Sequence, residues 1–280
     1  MKEYKNSYSC ADFTFPLLPH DKALRLIKLM GFDAVDLGIF EDRSHHYPSK
    51  IVKNPKEEGK SLYNTLSQVG LVAADVFLQT GKDPKIASTN DPDKSIRKKN
   101  REIFLRILDF ICEVGSTHIT GLPGVYHEGH DSKDDWMIAC EETNWRLEVS
   151  SSRALTYAIE PHLGSILPTP TTTLKFIADC PGLTLTLDYG HFIYQGFSNE
   201  AIHPLIPYAS HFHARAAAKG VLQARVRDNR IDFKTIVSKL REVSYKGFIC
   251  FEYVYDDWGD CDKTDNVSET LILLRLIESF

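Results

Sequence analysis

The stretch LTYAIEPH, residues 155–162, decides the fold, because an apolar run leads directly into a side chain that can bind a metal. Three later stretches repeat this pattern: LTLTLDYGH at 183–191, SHFHA at 210–214 and GFICFEYV at 247–254. The groups at the four endings are Glu160, Asp188, His213 and Glu252. Four acidic or imidazole groups at four strand ends predict a metal site at the carboxyl-terminal mouth of a β/α barrel.

Composition favours a globular protein with a large core. The chain has 280 residues, of which 42% are hydrophobic and 25% charged, and its formal net charge is −5. One (β/α)8 barrel takes roughly 250 residues, so we expect a single barrel domain over residues 1–280. A mildly acidic protein has no general attraction for a phosphate backbone, so no nucleic-acid partner is expected.

Strand-like and helix-like segments alternate along the chain, which is typical of a parallel β/α architecture. The clearest helix follows Asp91-Pro92, carries an apolar stripe at helical spacing and ends at Gly115. A first strand is predicted over residues 8–15, and a loop is predicted to start at His191. The predicted fold class is therefore α/β, a (β/α)8 TIM barrel.

Cysteine usage and hydropathy bear on the compartment. The six cysteines are scattered without a CxxC pair, which indicates reduced thiols and no disulfide framework. No apolar run approaches the roughly 20 residues that cross a bilayer. The first residues, MKEYKNSYSCADF, lack the apolar segment of a signal peptide. We expect a cytoplasmic protein without membrane contact.

The four motifs together resemble the xylose-isomerase-like TIM-barrel superfamily of sugar isomerases, epimerases and dehydratases. The residues that carry the resemblance are Glu160 in YAIEPH, Asp188 and His191 in LDYGH, His213 in HFHARA, and Glu252 in FICFEYV. The run RIDFKTIVSKLREVSYKGFICFEY resembles the family's approach to its last strand. The likeness is strong over residues 155–255 and weaker before them.

The resemblance implies one divalent metal ion, with ligands Glu160, Asp188, His213 and Glu252. Three carboxylates and one imidazole suit an ion that accepts oxygen ligands. We favour Mn²⁺, with Mg²⁺, Co²⁺ and Zn²⁺ as alternatives. His211 shares a strand face with His213, but His213 is preferred because it lies nearer the end of its strand.

The resemblance also implies a metal-dependent sugar isomerase or epimerase, in which a proton leaves the carbon next to a carbonyl and the metal stabilises the enediolate. Glu160 and Glu252 are the predicted catalytic pair, one removing the proton and the other returning it. His162, His191 and Arg215 are predicted to bind a small-molecule sugar substrate. A homo- or hetero-oligomer is left open.

Two positions depart from the family's pattern. Many members follow the histidine of strand 7 with Leu-Lys-Asp, whereas this chain has Ala214-Arg215-Ala216. Arg215 is therefore expected to take the role of the lysine. At strand 2, many members have Glu where this chain has Asp36. These differences concern the substrate more than the metal.

Other side chains are candidates for substrate contact. The basic loop residues Arg225, Arg227 and Arg230 form either an anion pocket or a solvated surface. The aromatic candidates for stacking on a sugar ring are Phe13, Trp136 and Trp258.

The main alternative function is a metal-dependent lyase, either a keto-polyol dehydratase or a β-eliminating deglycosidase, because both reactions begin with the same proton abstraction. An abasic-site endonuclease needs further histidines after strands 2 to 4, and the tracts VFLQTGKD and GLPG lack them. A barrel that only binds ligands is the remaining alternative, and it predicts no bound metal.

Overall fold

Eight parallel strands close into a barrel in the structure, a computed structural model that describes residues 7–256 and 258–280. Each strand pairs with the next along the chain, and β1 pairs with β8 to close the ring. The strands are β1 (Ser7–Ala11), β2 (Ala34–Phe40), β3 (Val72–Gln79), β4 (His118–Gly121), β5 (Thr156–Ile159), β6 (Thr184–Asp188), β7 (Ala209–Ala214) and β8 (Phe248–Phe251). This topology confirms the predicted (β/α)8 barrel.

Helices follow the strands and form the outer layer of the barrel. They are α1 (His20–Leu29), α2 (Pro48–Ile51), α3 (Pro55–Val69), α4 (Lys94–Val114), α5 (Ser132–Ser151), α6 (Pro170–Asp179), α7 (Tyr189–Gln195), α8 (Asn199–Ile202), α9 (Phe233–Glu242) and α10 (Asn266–Glu278). Short 3₁₀ turns lie at Asp12–Thr14, His203–Tyr208, Val226–Asp228 and Trp258–Lys263. None of the helices in the described ranges combines the length and apolar character that crossing a membrane requires.

Helix α4 shows how local sequence sets the boundaries of an element. The side chain of Asp93 accepts a hydrogen bond from the backbone N–H of Ser95 and so caps the amino terminus. Gly115 ends the helix with a φ of 84°, a left-handed conformation that favours glycine. Phe104 and Ile111 lie on its buried face, so the predicted apolar stripe packs against the barrel.

Strand residues point alternately into the barrel and toward the helices. In β2, Val35 and Leu37 belong to the main hydrophobic core, whereas Asp36 between them turns to the barrel interior. In β7, Phe212 joins the same core, and His211 faces Asp36. Polar side chains therefore meet inside the barrel, where burial requires that they hydrogen-bond to one another.

Two local predictions are wrong. Strand β1 ends at Ala11, and the next residues form a 3₁₀ turn where a continuing strand was expected. His191 lies inside helix α7 and not in a loop. Asp188 starts this helix, because its side chain accepts a hydrogen bond from the N–H of Gly190 at 2.6 Å. A helix of two turns is too short to show a reliable apolar period in the sequence.

Gly247 marks a close approach between two backbones next to β8. A Cβ atom at this position would lie 2.0 Å from the carbonyl oxygen of Ser210 in β7. We expect Gly247→Ala to lower the free energy of unfolding by about 3 kcal/mol, because this oxygen cannot move without disturbing the barrel.

Gly129→Ala is the control for this substitution. Gly129 has a φ of 76°, but a Cβ atom there would meet nothing within 4 Å, so only a backbone cost of about 1 kcal/mol is expected. Thermal unfolding of both variants measures the difference, and equal losses would contradict a steric cause at Gly247.

Candidate active site

The four predicted strand endings meet at the carboxyl-terminal mouth of the barrel. They are all buried, and they lie as follows: Glu160 after β5, Asp188 at the end of β6, His213 in β7 and Glu252 after β8. The Nδ1 atom of His213 is 2.6 Å from Glu160 Oε1 and 3.4 Å from Glu252 Oε2. Residues from four separate strand ends therefore form one compact cluster.

A cavity of about 970 Å³ opens at this cluster. Both glutamates of the cluster line it, and so do all three predicted substrate-binding residues, which are His162, His191 and Arg215. Phe13, a predicted stacking residue, lines it as well. The mouth of the barrel is thus the place where a small molecule would meet these groups.

Several other predicted contacts lie elsewhere. Trp136 donates a hydrogen bond to Asp179 at the end of α6 and is absent from the cavity lining that the structure describes. The side chain of Trp258 falls outside the described residues. The arginines of the basic loop are exposed and are not among the described residues that line the cavity; they are Arg225, Arg227 and Arg230. In the described structure these arginines lie on the solvated surface.

Asp188 pairs with Arg215. Arg215 donates a hydrogen bond to Asp188 Oδ2 at 2.6 Å, and its Nη1 lies 3.7 Å from Glu252 Oε2. Burial opposes the charge on Arg215, but the carboxylates of Asp188 and Glu252 outweigh it and raise the pKa of the guanidinium. The buried arginine therefore balances part of the negative charge at the mouth.

His191 reaches the cluster from the first turn of α7. Its Nε2 lies 3.7 Å from Glu160 Oε2 and 3.6 Å from Asp188 Oδ2. The Nη2 atom of Arg215 is 3.0 Å from the same nitrogen, and the N–H of Leu163 donates to Nδ1 at 3.3 Å. Because Asp188 also caps α7, one side chain both joins the cluster and orients the helix that carries His191.

His162 presents a hydrogen-bond acceptor to the cavity. Its Nδ1 donates to the carbonyl of Leu163 at 2.8 Å, so Nε2 carries no proton in the neutral ring. Burial, followed by the nearby charge of His191, lowers the pKa of His162 to about 4, which keeps the ring neutral at pH 7. Within the described structure, no group donates a hydrogen bond to this buried Nε2.

His211 pairs with Asp36, whose Oδ2 also lies 3.6 Å from Nε2 of His213. The Nε2 atom of His211 lies 2.6 Å from Asp36 Oδ2, and the hydroxyl of Ser9 donates to Asp36 Oδ1 at 2.7 Å. Cys250 lies within ligand distance of this group, but burial raises the pKa of its thiol well above the usual range. Asp36, His211 and Ser9 form a hydrogen-bonded layer beside the site.

Besides the group of Asp36, His211, His213 and Cys250, two overlapping sets of side chains have the spacing of metal ligands, with donor atoms within 4.8 Å of one another. The sets are Glu160 with His213 and Glu252, and Glu160 with Asp188 and His191. The buried Oε2 of Glu252 accepts no hydrogen bond from any described residue. An orphaned carboxylate oxygen among oxygen and nitrogen donors fits a divalent cation.

The two glutamates of the cluster differ in their readiness to ionise. Burial raises the pKa of Glu252 to about 7, against the opposing effect of His213 and Arg215. Burial acts in the same direction on Glu160, but hydrogen bonds from His191 and His213 outweigh it and hold the pKa of Glu160 well below its usual range. Glu160 therefore loses its proton more readily than Glu252.

Fold and site together define a TIM-barrel protein in which carboxylates and imidazoles meet at the carboxyl-terminal mouth. The sequence profile of the xylose isomerase-like TIM barrel family matches residues 24–277, and the chain belongs to this family. The family that the motifs suggested is thereby confirmed. No curated protein matches the sequence.

Similar solved structures include sugar epimerases. D-psicose 3-epimerase with D-tagatose from Clostridium cellulolyticum H10 is 16% identical, with a TM-score of 0.77 over 98% of both chains. The 3-keto-D-glucoside 4-epimerase of E. coli is 16% identical, with a TM-score of 0.72 over 99% of this chain and 100% of that chain. A xylose isomerase-like protein from Mycobacterium smegmatis in complex with magnesium is 16% identical, with a TM-score of 0.70 over 98% of both chains. At these identities the likeness shows the fold alone.

The Asp36–His211 pair should stabilise the fold in a pH-dependent way. Burial opposes ionisation of Asp36, but the charges and hydrogen bonds of His211 and His213 outweigh it and hold the pKa of Asp36 far below normal. A carboxylate with a depressed pKa stabilises the folded state above its unfolded pKa of about 4, and the contribution is lost as the pH falls further.

We expect Asp36→Asn to lower the free energy of unfolding by about 3 kcal/mol at pH 7, because it removes the buried charged acceptor of the hydrogen bonds from His211 and Ser9. The difference from the native protein should narrow as the pH falls from 5 to 3. Thermal unfolding across this range measures it, with the exposed Asp21→Asn as a control that should change little. A difference that is independent of pH would contradict the assignment.

Proposed function

We propose that this protein is a divalent-metal-dependent isomerase or epimerase that removes the proton next to the carbonyl of a small keto sugar. The observation that carries the proposal is the pair of buried carboxylates, Glu160 and Glu252, both within 3.4 Å of Nδ1 of His213. Both border the same cavity. Two carboxylates at one cavity can serve as the acid and the base of a proton exchange at carbon.

The proposed metal ligands are Glu160, Asp188, His213 and Glu252. Bound there, a divalent cation supplies Lewis-acid polarisation of the substrate carbonyl. We propose Mn²⁺, with Mg²⁺, Co²⁺ and Zn²⁺ as alternatives, because carboxylates and one imidazole suit divalent ions that accept oxygen ligands. The orphaned Oε2 of Glu252 supports this assignment.

In this proposal Glu160 acts as the general base and Glu252 as the general acid. Glu160 is held ionised by His191 and His213, so it can accept the proton from carbon. Glu252 lines the same cavity, and we propose that it is the partner group that returns a proton to carbon. Two neighbouring carboxyl groups whose environments separate their pKa values are typical of an acid–base pair.

Three further side chains orient the sugar in this proposal. His162 offers its buried Nε2 as an acceptor for a substrate hydroxyl. Arg215 lines the cavity and can donate a hydrogen bond, the role that the sequence analysis assigns to it in place of the family's lysine. His191 lies between Arg215 and Glu160. These groups fix which carbon faces the two glutamates.

Deuterium incorporation tests the reaction. Incubation of the Mn²⁺-supplemented protein with D-psicose, D-tagatose or L-ribulose in D₂O should give a stereoisomer or positional isomer that carries deuterium at the reacting carbon. Glu160→Gln and Glu252→Gln should each lower the rate by about 10²- to 10⁴-fold, because each removes a proton-transfer group. Mass spectrometry and NMR of the products provide the measurement.

Glu148→Gln, at an exposed position of α5, is the matched control and should keep full activity. Circular dichroism checks that all variants are folded. An active Glu160→Gln/Glu252→Gln double variant refutes the assignment. Loss of water or of a leaving group in place of isomerisation would establish the lyase alternative.

Metal binding should depend on pH through Glu252. A ligand carboxyl must lose its proton to bind a cation, and the pKa of Glu252 is raised to about 7. We therefore expect Mn²⁺ to bind about tenfold more weakly at pH 6 than at pH 8. Isothermal titration calorimetry in buffers of different ionisation enthalpy should detect the released proton.

Glu252→Gln should bind Mn²⁺ weakly at both pH values and keep only the pH dependence that comes from His213, whose pKa is raised well above normal and which must also lose a proton to bind the ion. His203→Gln, which alters a histidine outside the described cavity lining, is the control and should bind as the native protein does. Unchanged binding in Glu252→Gln would remove Glu252 from the ligand set.

A further inference from the structure

The cavity at the mouth of the barrel has a larger volume than a single sugar would fill. Its volume is about 970 Å³. A ketohexose has about 12 non-hydrogen atoms. If each atom took up roughly 30 Å³, the volume of one water molecule in the liquid, the sugar would occupy about 360 Å³. More than half of the cavity would then remain unfilled. Cavities of this size hold ligands much larger than a monosaccharide.

One side of the cavity is apolar. The apolar wall consists of Phe13, Phe40 and Phe77, whose ring centroids are 5.0 to 6.2 Å apart. The ring of Phe77 lies 5.7 Å from the ring of His213, so the apolar wall directly adjoins the candidate active site. A sugar hydroxyl facing these rings would lose its hydrogen bonds to water without replacement. The ligand surface that meets the apolar wall must therefore be apolar.

Apolar side chains continue from this region to the solvent. Leu17 and Tyr255 both line the cavity, although they are 75% and 48% exposed. Large exposed apolar side chains at the opening of a cavity are typical of a binding site that a ligand completes. Apolar side chains thus line the cavity both beside His213 and at its opening to solvent.

The charged residues of the lining argue against a phosphorylated substrate. Arg43 forms an ion pair with Asp256 at 3.7 Å, and Arg215 donates to Asp188. The remaining cation of the described lining, Lys85, is exposed to solvent. A phosphate would need a cluster of unpaired cations, so an uncharged ligand fits the cavity better.

We propose that the substrate is an uncharged keto glycoside, with its keto sugar at Glu160 and Glu252 and an aromatic or other apolar aglycone along the apolar wall. The keto-sugar end rests on the proposed function, whereas the aglycone end rests on the volume and walls of the cavity. Phe13, Phe40 and Phe77 determine specificity, and Leu17 and Tyr255 hold the outer part of the aglycone.

Two probes with the same keto sugar isolate the aglycone. Phenyl 3-keto-β-D-glucopyranoside should bind the Mn²⁺-loaded protein at least about tenfold more tightly than the methyl glycoside, because only the phenyl ring buries substantial apolar area. Isothermal titration calorimetry gives both affinities without requiring turnover. Equal affinities, or binding of neither glycoside, would overturn the inference.

Surface variants locate the aglycone without disturbing the core. Leu17→Ser/Tyr255→Ser should weaken the binding of the phenyl glycoside by a larger factor than the binding of the methyl glycoside, and so lower the preference. Leu29→Ser/Tyr63→Ser is the matched control, since these residues are 84% and 51% exposed but lie outside the described lining of the cavity, and it should keep the preference. A Leu17→Ser/Tyr255→Ser variant that keeps the full preference would overturn the assignment of the outer aglycone site.

Two further outcomes distinguish the aglycone site from a subunit contact and from the proposed reaction. A changed oligomeric state of Leu17→Ser/Tyr255→Ser, with the phenyl preference intact, would assign these side chains to a contact between copies of the chain and overturn their role here. A tenfold phenyl preference without deuterium exchange into either glycoside would support the aglycone site and reject the proposed reaction.

Discussion

The balance of buried charge at the mouth of the barrel is the constraint on which the site depends. Three carboxylates, those of Glu160, Asp188 and Glu252, are buried there together. Arg215 and His213 compensate them: burial opposes a charge on both, but the carboxylates outweigh it and raise the pKa of each. Buried like charges are costly unless each finds a partner. A divalent cation bound among these groups would neutralise the negative charge that remains.

The barrel makes this cluster possible by joining distant parts of the chain at one end. Strands β5 to β8 each contribute one group, and parallel pairing brings their carboxyl ends to the same level. Asp188 additionally starts α7, which fixes His191 beside Glu160. Next to the cluster, the pair of Asp36 and His211 hydrogen-bonds across the interior. The active groups are therefore held by rigid strands and by a hydrogen-bonded layer.

Ionisable and apolar side chains occupy different parts of the same cavity. The ionisable side chains come from β5 to β8 and the loops that follow them, whereas Phe40 and Phe77 come from β2 and β3 and Phe13 from the turn after β1. Substitutions in β2 and β3 can therefore change the apolar wall without moving the carboxylates. Such a division is how one barrel supports reactions on different substrates through changes in a few side chains.

By itself, the sequence determined the alternation of strands and helices and the identity of the four strand endings, because both depend on local patterns such as YAIEPH and FICFEYV. Tertiary structure alone decided that Asp188 pairs with Arg215, that Asp36 pairs with His211, and that α7 carries His191. It also decided that Phe13 lines the cavity while Trp136 does not, within the described lining. The physical reason is that these outcomes depend on contacts between buried charges on different strands, or on a single hydrogen bond that caps a short helix. Neither kind of interaction leaves a periodic signal along the chain.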